Sequence, residues 1–480
     1  MHRIMIPKIE KFKRPIAFII IGSVFLLSML LVRITPYISF KWLMVGIGGI
    51  LFVILAIYEM PLAITIIVVT SATINLTIST GRTTPLPFSL LAIAVLFVTW
   101  IIRMALIDHH IQLVPTAINK PFVIFLYTVL VSWILSYLIW DPWITPPDNL
   151  FLVQAGQVAI FLFSLATTLL LVNLSIREIY FKVWVIIIIG IGVFALLVRA
   201  FSHNNFLQDL VVGSMFMWPF VLLWGQILFN PKMKSWIYLV GLFISLIWVY
   251  WLFSQGLTIK GGWLPALIGL GLMLWFKNRK IFIALAVLVA LFIFIDWSWV
   301  YRHLIEVSLG RGDQYRLTFW WDVIRMTLRS PVLGLGPANY KFYWQDPFFI
   351  PVGRVLYGWD VWNAWGYAPP SHNMFVDIFA QTGLIGLGLF TWGIVAALRI
   401  VYRAAKRFKP GFEQAFAYSV LCGFISLCFN SFIIAEFLMP FVYNLTITGF
   451  RHSVYSWLLL GAVIALDYST KGDQKNELHA

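Results

Sequence analysis

Residues 179–199 read IYFKVWVIIIIGIGVFALLVR, and between Val183 and Val198 no side chain is charged. About 20 apolar residues at 1.5 Å per residue match the roughly 30 Å hydrocarbon layer of a bilayer. Runs of this kind recur outward in both directions. They lie near 15–33, 41–58, 61–79, 86–107, 121–140, 151–172, 211–229, 235–253, 262–276, 281–297, 374–400, 412–436 and 447–467. That makes fourteen expected spans, of which 262–276 and 447–467 are the weakest, so the expected range is about 12–14. With 61% hydrophobic and 11% charged residues, the chain lies outside the composition of soluble domains. The ten-residue alternation of a membrane β-barrel is missing. The expected fold is all-α: a polytopic helical membrane protein forming one integral domain over 1–480.

Lysine and arginine set the expected orientation. With the N-terminus in the cytoplasm, 21 of the 34 Lys and Arg fall inside, among them Lys232, Lys234, Lys277, Arg279, Lys280 and the cluster from Arg399 to Lys409. Seven of the remaining 13 sit in one long outer segment, 298–373. Bases held on the disfavoured side call for a local reason. The net charge of +15 is mostly this inner excess and does not point to nucleic acid. Cys422 and Cys428 share one span, and no disulfide framework or metal-ligand spacing is present. The basic N-terminus before 15–33 lacks a small-residue cleavage site, so a retained signal anchor is expected. Trp297, Trp299, Tyr301, Trp359, Trp362, Trp365 and Tyr367 bracket the long loop as interfacial rings would.

Within that loop, Leu317, Trp320, Ile324 and Leu328 recur at helical spacing before Pro331, which predicts a short amphipathic helix on the outer surface. Arg325 and Arg329 fall on another face, where they would snorkel toward lipid phosphates. The loop ends in APPSHNMFVDIFAQTGLIGLGLF, residues 368–390, which opens a span with Ser371-His372-Asn373 and then carries Asp377, Gln381 and Thr382. Of the outer-side histidines His203, His303, His372 and His452, only His372 stands at a helix start. There Ser371 or Asn373 would cap exposed N–H groups and the helix end would attract an anion. Capping beside an interfacial imidazole is the plainer alternative.

Two stretches together resemble the O-antigen ligase and O-antigen polymerase superfamily of bacterial envelope glycan enzymes. One is Arg316-x-x-x-Trp320 followed by Ser330-Pro331-Val332-Leu333-Gly334-Leu335-Gly336. The other is Ser371-His372-Asn373-Met374-Phe375 leading to Gln381-Thr382-Gly383-Leu384-Ile385-Gly386. A weaker match is Lys260-Gly261-Gly262, where the family usually carries Ser-Arg-Gly; charge is kept and the guanidinium fork is lost. The resemblance covers about 255–390.

The resemblance implies a metal-independent glycosyltransferase with no cofactor. It would transfer a glycan from a polyprenyl (undecaprenyl) diphosphate carrier to a glycan, lipid or protein acceptor at the outer face of the cytoplasmic membrane, in cell-envelope polysaccharide or lipopolysaccharide synthesis. Arg316 is the first candidate for the diphosphate, Lys260 the second, and Arg311 the third by proximity to Arg316. Cations can neutralise a diphosphate through charge-assisted hydrogen bonds. His372 is the implied general base for the acceptor hydroxyl. Asp377 and Asn373 are candidate orienting groups, although Asp377 equally suits a pairing inside the bundle. Gln381 and Thr382 are expected to face a polar cavity for the carrier's head. A polymerase joining lipid-linked repeat units shares both motifs. A transporter or flippase would instead distribute charge through its spans. A metal-dependent transferase would need acids in the first outer loop, Ile34–Phe40, which has none.

Overall fold

The computed structural model describes residues 40–73, 77–78, 86–107, 109, 113–138, 140–146, 148–201, 217–253, 260–306, 315–346, 348–352, 371–433, 437–443 and 447–478. Its elements are α1 (Phe40–Tyr58), α2 (Met60–Thr73), β1 (Thr77–Ile78), β2 (Leu86–Pro87), α3 (Phe88–Ile102), α4 (Asn119–Leu138), α5 (Leu150–Asn173), α6 (Glu178–Phe201) and α7 (Met217–Phe229). They continue with α8 (Ser235–Trp251), α9 (Lys260–Lys277), α10 (Arg279–Ile295), α11 (Arg316–Thr327), α12 (Met374–Arg407), α13 (Phe412–Ile433) and α14 (Phe450–Leu478). The two-residue antiparallel ladder β1–β2 is the only strand pairing among the described residues. Thirteen expected spans fall on helices; 15–33 lies outside the described residues. Among the described residues, seven helices are long and apolar enough to cross a membrane alone, and five more are shorter apolar helices. The chain is a polytopic α-helical membrane protein, the architecture in which every backbone N–H can be satisfied within its own segment.

The centre of the bundle is α14 with α5, α7 with α13, and α12 against α4 and α13. In the span window of α14, 89% of residues are buried, so the weak hydropathy of 447–467 reflects a helix that meets protein instead of lipid. Small and hydroxylated residues bring these helices close. At Gly461 a Cβ would sit 2.9 Å from the Leu171 side chain, and Thr168 Oγ1 in the same interface donates to the Trp457 carbonyl at 3.0 Å. By contrast α10 buries no residue, and it meets the Trp297–Glu306 stub at an 88° bend.

The two ends of the bundle differ. One gathers the chain turns near 173–178, 230–235, 277–279 and 407–412, with Lys182, Lys232, Lys277, Arg279, Lys406, Arg407 and Lys409. There Arg407 pairs with Asp467, which also binds Lys471 at 2.6 Å. The other end, called here the site end, carries a small core of its own. Ile144, Val323, Met326, Leu335, Tyr340 and Phe349 join the α4–α5 connection, α11 and the start of α12.

Candidate functional site

The site grows from the cap of α12. Asn373 occupies the N-cap in extended backbone, and its Oδ1 accepts from Phe375 N at 3.0 Å and Val376 N at 3.2 Å. Ser371 Oγ accepts from Asn373 N and donates to Asn373 O, both at 3.0 Å. Of the two expected cappers, Asn373 therefore serves. The residue between them, His372, is half-buried and has φ +53°. That is the left-handed region, where a non-glycine residue stays only if its surroundings hold it.

α11 supplies the hold. The Trp320 indole donates to the Ser371 carbonyl at 2.6 Å, one peptide before His372. Its ring meets Phe432 at 5.7 Å, and Phe432 meets Phe375 at 6.0 Å. One helical turn before Trp320, Arg316 donates from Nη1 to the Ile433 carbonyl at 2.8 Å, at the C-terminus of α13, where carbonyl ends favour a cation. The two sequence motifs, more than fifty residues apart, thus meet around the α12 cap. Phe432 and Ile433 complete the meeting place, and no motif marked them.

The glycines of both motifs face one another. α12 is interrupted at Gly383 (φ +65°, ψ −167°), and the Pro331–Gly336 turn docks into the break. Leu335 N donates to Ala380 O at 2.8 Å, Leu384 N to Pro331 O at 2.9 Å and Ile385 N to Val332 O at 3.3 Å. A Cβ on Gly334 would lie 2.5 Å from the Gln381 carbonyl carbon and the Thr382 nitrogen, and one on Gly383 would lie 2.2 Å from Val332 O. Both glycines also hold positive φ, so backbone contact and backbone conformation demand glycine together. Ser132 Oγ of α4 lies 2.7 Å from both Leu333 O and Gln381 O, which share its single hydroxyl proton.

This docking corrects the expectation for Gln381 and Thr382. Gln381 Oε1 accepts from Ala338 N at 3.0 Å, and Thr382 Oγ1 donates to Ile378 O at 2.7 Å. Both are fully buried and serve the joint instead of facing a cavity. The joint extends through Gln154, which donates to Asn339 at 2.7 Å and accepts from Trp133 at 2.9 Å. A polar residue within an apolar span was the available signal for Ser132 and Gln154.

α11 leaves the ends of its apolar stripe outside and turns a neighbouring face into the protein. Thr318, Asp322, Val323 and Met326 are buried, whereas Leu317 and Leu328 are 70% and 59% exposed. The reason is polar: Asp322 accepts from Val352 N at 2.8 Å. The two arginines do not snorkel. Arg325 donates to Ile350 O at 3.1 Å and lies over the Phe349 ring, and Arg329 pairs with Asp346 and, at 2.8 Å, with Asp141.

Asp377 is fully buried. The Tyr340 and Ser371 hydroxyls lie against it, yet neither carboxyl oxygen completes a hydrogen bond of good geometry, and the Asn373 Nδ2 one turn earlier is likewise unmatched. Asp377 is thus an under-bonded acid tied to the cap that carries His372. Lys341, missed by motif, is half-buried with its ammonium 4.4 Å from the Tyr443 ring, and burial lowers its pKa from the usual lysine value. Lys260 begins α9, with no side-chain placement described. Arg311, His203, Trp359, Trp362, Trp365 and Tyr367 lie outside the described residues. His303 stacks on Trp299 at 4.6 Å, and His452 accepts from Arg451 Nε at 3.2 Å. A cavity of about 690 Å³ flanks the other side of the docked turn, lined by Trp140, Asp141, Trp143 and Arg329. It does not include the His372 cap.

Searched against known protein families and curated proteins, the chain matches none at a significant level.

Proposed function

We propose that the chain is a glycosyltransferase of the O-antigen ligase type, moving a glycan from a polyprenyl diphosphate to an acceptor hydroxyl at the site end of the bundle. The observation that carries this reading is the contact between the two distant motifs. Trp320 holds the carbonyl before His372 while Arg316, one turn away, is anchored on the end of α13. The residue most strained in backbone there is the one the reaction needs as a base. In the proposed step, His372 takes the acceptor's hydroxyl proton as the oxygen bonds to the anomeric carbon. The bond from that carbon to the diphosphate breaks, and the departing electron pair settles on phosphate oxygen. Arg316, with Lys260 and Arg311 as further candidates, neutralises that charge. Asp377 and Asn373 support the cap beneath the imidazole.

The uneven ends support an orientation. Helices alternate so that the lysine- and arginine-rich turns fall at one end, which the positive-inside rule puts in the cytoplasm. The site end then faces outward, with the N-terminus inside. The test is to give purified protein a lipid-diphosphate-linked glycan with candidate acceptors and to follow the products. Transfer to a carrier-free acceptor is expected. Lengthening of the carrier-bound chain would make the protein a polymerase, and movement of lipid-linked sugar across vesicles with no new glycosidic bond would overturn the proposal.

A further inference from the structure

At the basic end of the bundle, the length of α12 away from the His372 cap, a second hollow of about 660 Å³ opens between α6, α7 and the α12–α13 turn. Lys182, Lys232 and Lys409 line it, together with Glu178 and Glu413. Glu178 holds Lys182 in a 2.8 Å ion pair, and Glu413 interacts with Lys182 and Lys232. Three lysines against two glutamates leave one positive charge in surplus. Lys409 has no ion pair among the described residues. On the same wall, the buried Gln226 amide nitrogen has no hydrogen-bond acceptor. Its own Oε1 is taken by Asn230 Nδ2 at 2.9 Å, so the amide is fixed with its donor side unmatched.

The wall changes character along α6. Val185, Ile186 and Ile189 follow Lys182 at three, four and seven residues and line the hollow on one helical face. Val185 is buried at the base of this track, whereas Ile186 is 69% exposed and Ile189 half-buried, so the track opens toward the lipid side at the two isoleucines. Cations at the bundle end and an aliphatic groove leading into the membrane form one continuous surface.

We propose that this hollow holds an anionic phospholipid of the leaflet at the basic end, its phosphate against Lys232, Lys409 and Lys182 and one acyl chain along Ile186 and Ile189. Inorganic phosphate would meet the cations but leave the aliphatic track uncovered. A zwitterionic phospholipid would cover the track but bring its own cation to a site already in positive surplus. A phosphodiester with net negative charge and acyl chains matches both parts. The site is independent of the transfer reaction.

The test uses the full-length protein in lipid–detergent micelles containing phosphatidylglycerol or phosphatidylcholine. Native mass spectrometry counts retained lipid, and thermal unfolding is followed in parallel. The wild type is expected to retain phosphatidylglycerol preferentially and to unfold at a higher temperature with it. K232Q/K409Q should lose most of that preference while unfolding like the wild type in phosphatidylcholine. Ile186→Trp, which fills the track and leaves every lysine in place, should also reduce retention. Equal retention of the two lipids, a preference unchanged in both variants, or a full stabilising shift from inorganic phosphate alone would each overturn the proposal.

Discussion

At the scale of the residue, His372 is the informative position. A left-handed backbone costs a non-glycine residue roughly 1–2 kcal/mol, and here that cost is met by the Trp320 indole and the Asn373 cap on either side. Replacing His372 by Gly removes the strain, so the variant is expected to unfold at or above the wild-type temperature in micelles. A clear drop would show that the imidazole is a structural support. Trp320→Phe keeps a ring against Phe432 and deletes the bond to Ser371 O. About 0.5–1.5 kcal/mol of stability should go with it, and transfer should fall although His372 is untouched. Unchanged transfer would detach Trp320 from the site. Arg316→Lys keeps the charge and loses the fork, so transfer should weaken with folding intact.

At the scale of the element, the joint between the Pro331–Gly336 turn and the break in α12 dominates. Gly334→Ala and Gly383→Ala each force a Cβ to within 2.5 Å of backbone atoms that also form the joint. Both should lower the unfolding temperature sharply and impair transfer. Gly388→Ala, with nothing within 4 Å of its Cβ, should change neither, and an equal loss in all three would mean that the joint has no special role. Arg329→Ala leaves Asp346, almost fully buried, without its cation. The expected loss is on the order of 2–3 kcal/mol, the low side of a broken buried pair because Arg329 itself is 36% exposed. Spans such as 179–199 were legible in sequence because lipid leaves a long apolar helix little choice. The Arg316–Trp320 and His372–Asn373 motifs were legible as patterns. Their glycines were not legible as one joint, since that requires knowing that residue 334 meets residue 383. The inward face of α11 was not legible, because its anchor is a charge, Asp322, while Leu317 and Leu328 at the ends of the apolar stripe stay exposed.

At the scale of the whole molecule, the two ends differ in charge, and the proposed orientation puts the site end outside. Leu317→Cys and Lys234→Cys place exposed thiols at opposite ends. A membrane-impermeant maleimide should label the first in intact cells and the second only after permeabilisation, and the reversed pattern would put the proposed chemistry on the wrong side for an outward-facing acceptor. The bundle, the docked turn and the α13 end act on one cap, so the central claim concerns what that cap does. The most direct measurement is glycan transfer from a lipid diphosphate by the His372→Gly protein, taken beside its unfolding temperature. The expected result is a fully folded protein whose transfer rate has dropped by roughly 10²–10⁴-fold, the share of a lost general base. A folded variant that transfers at the wild-type rate would contradict it.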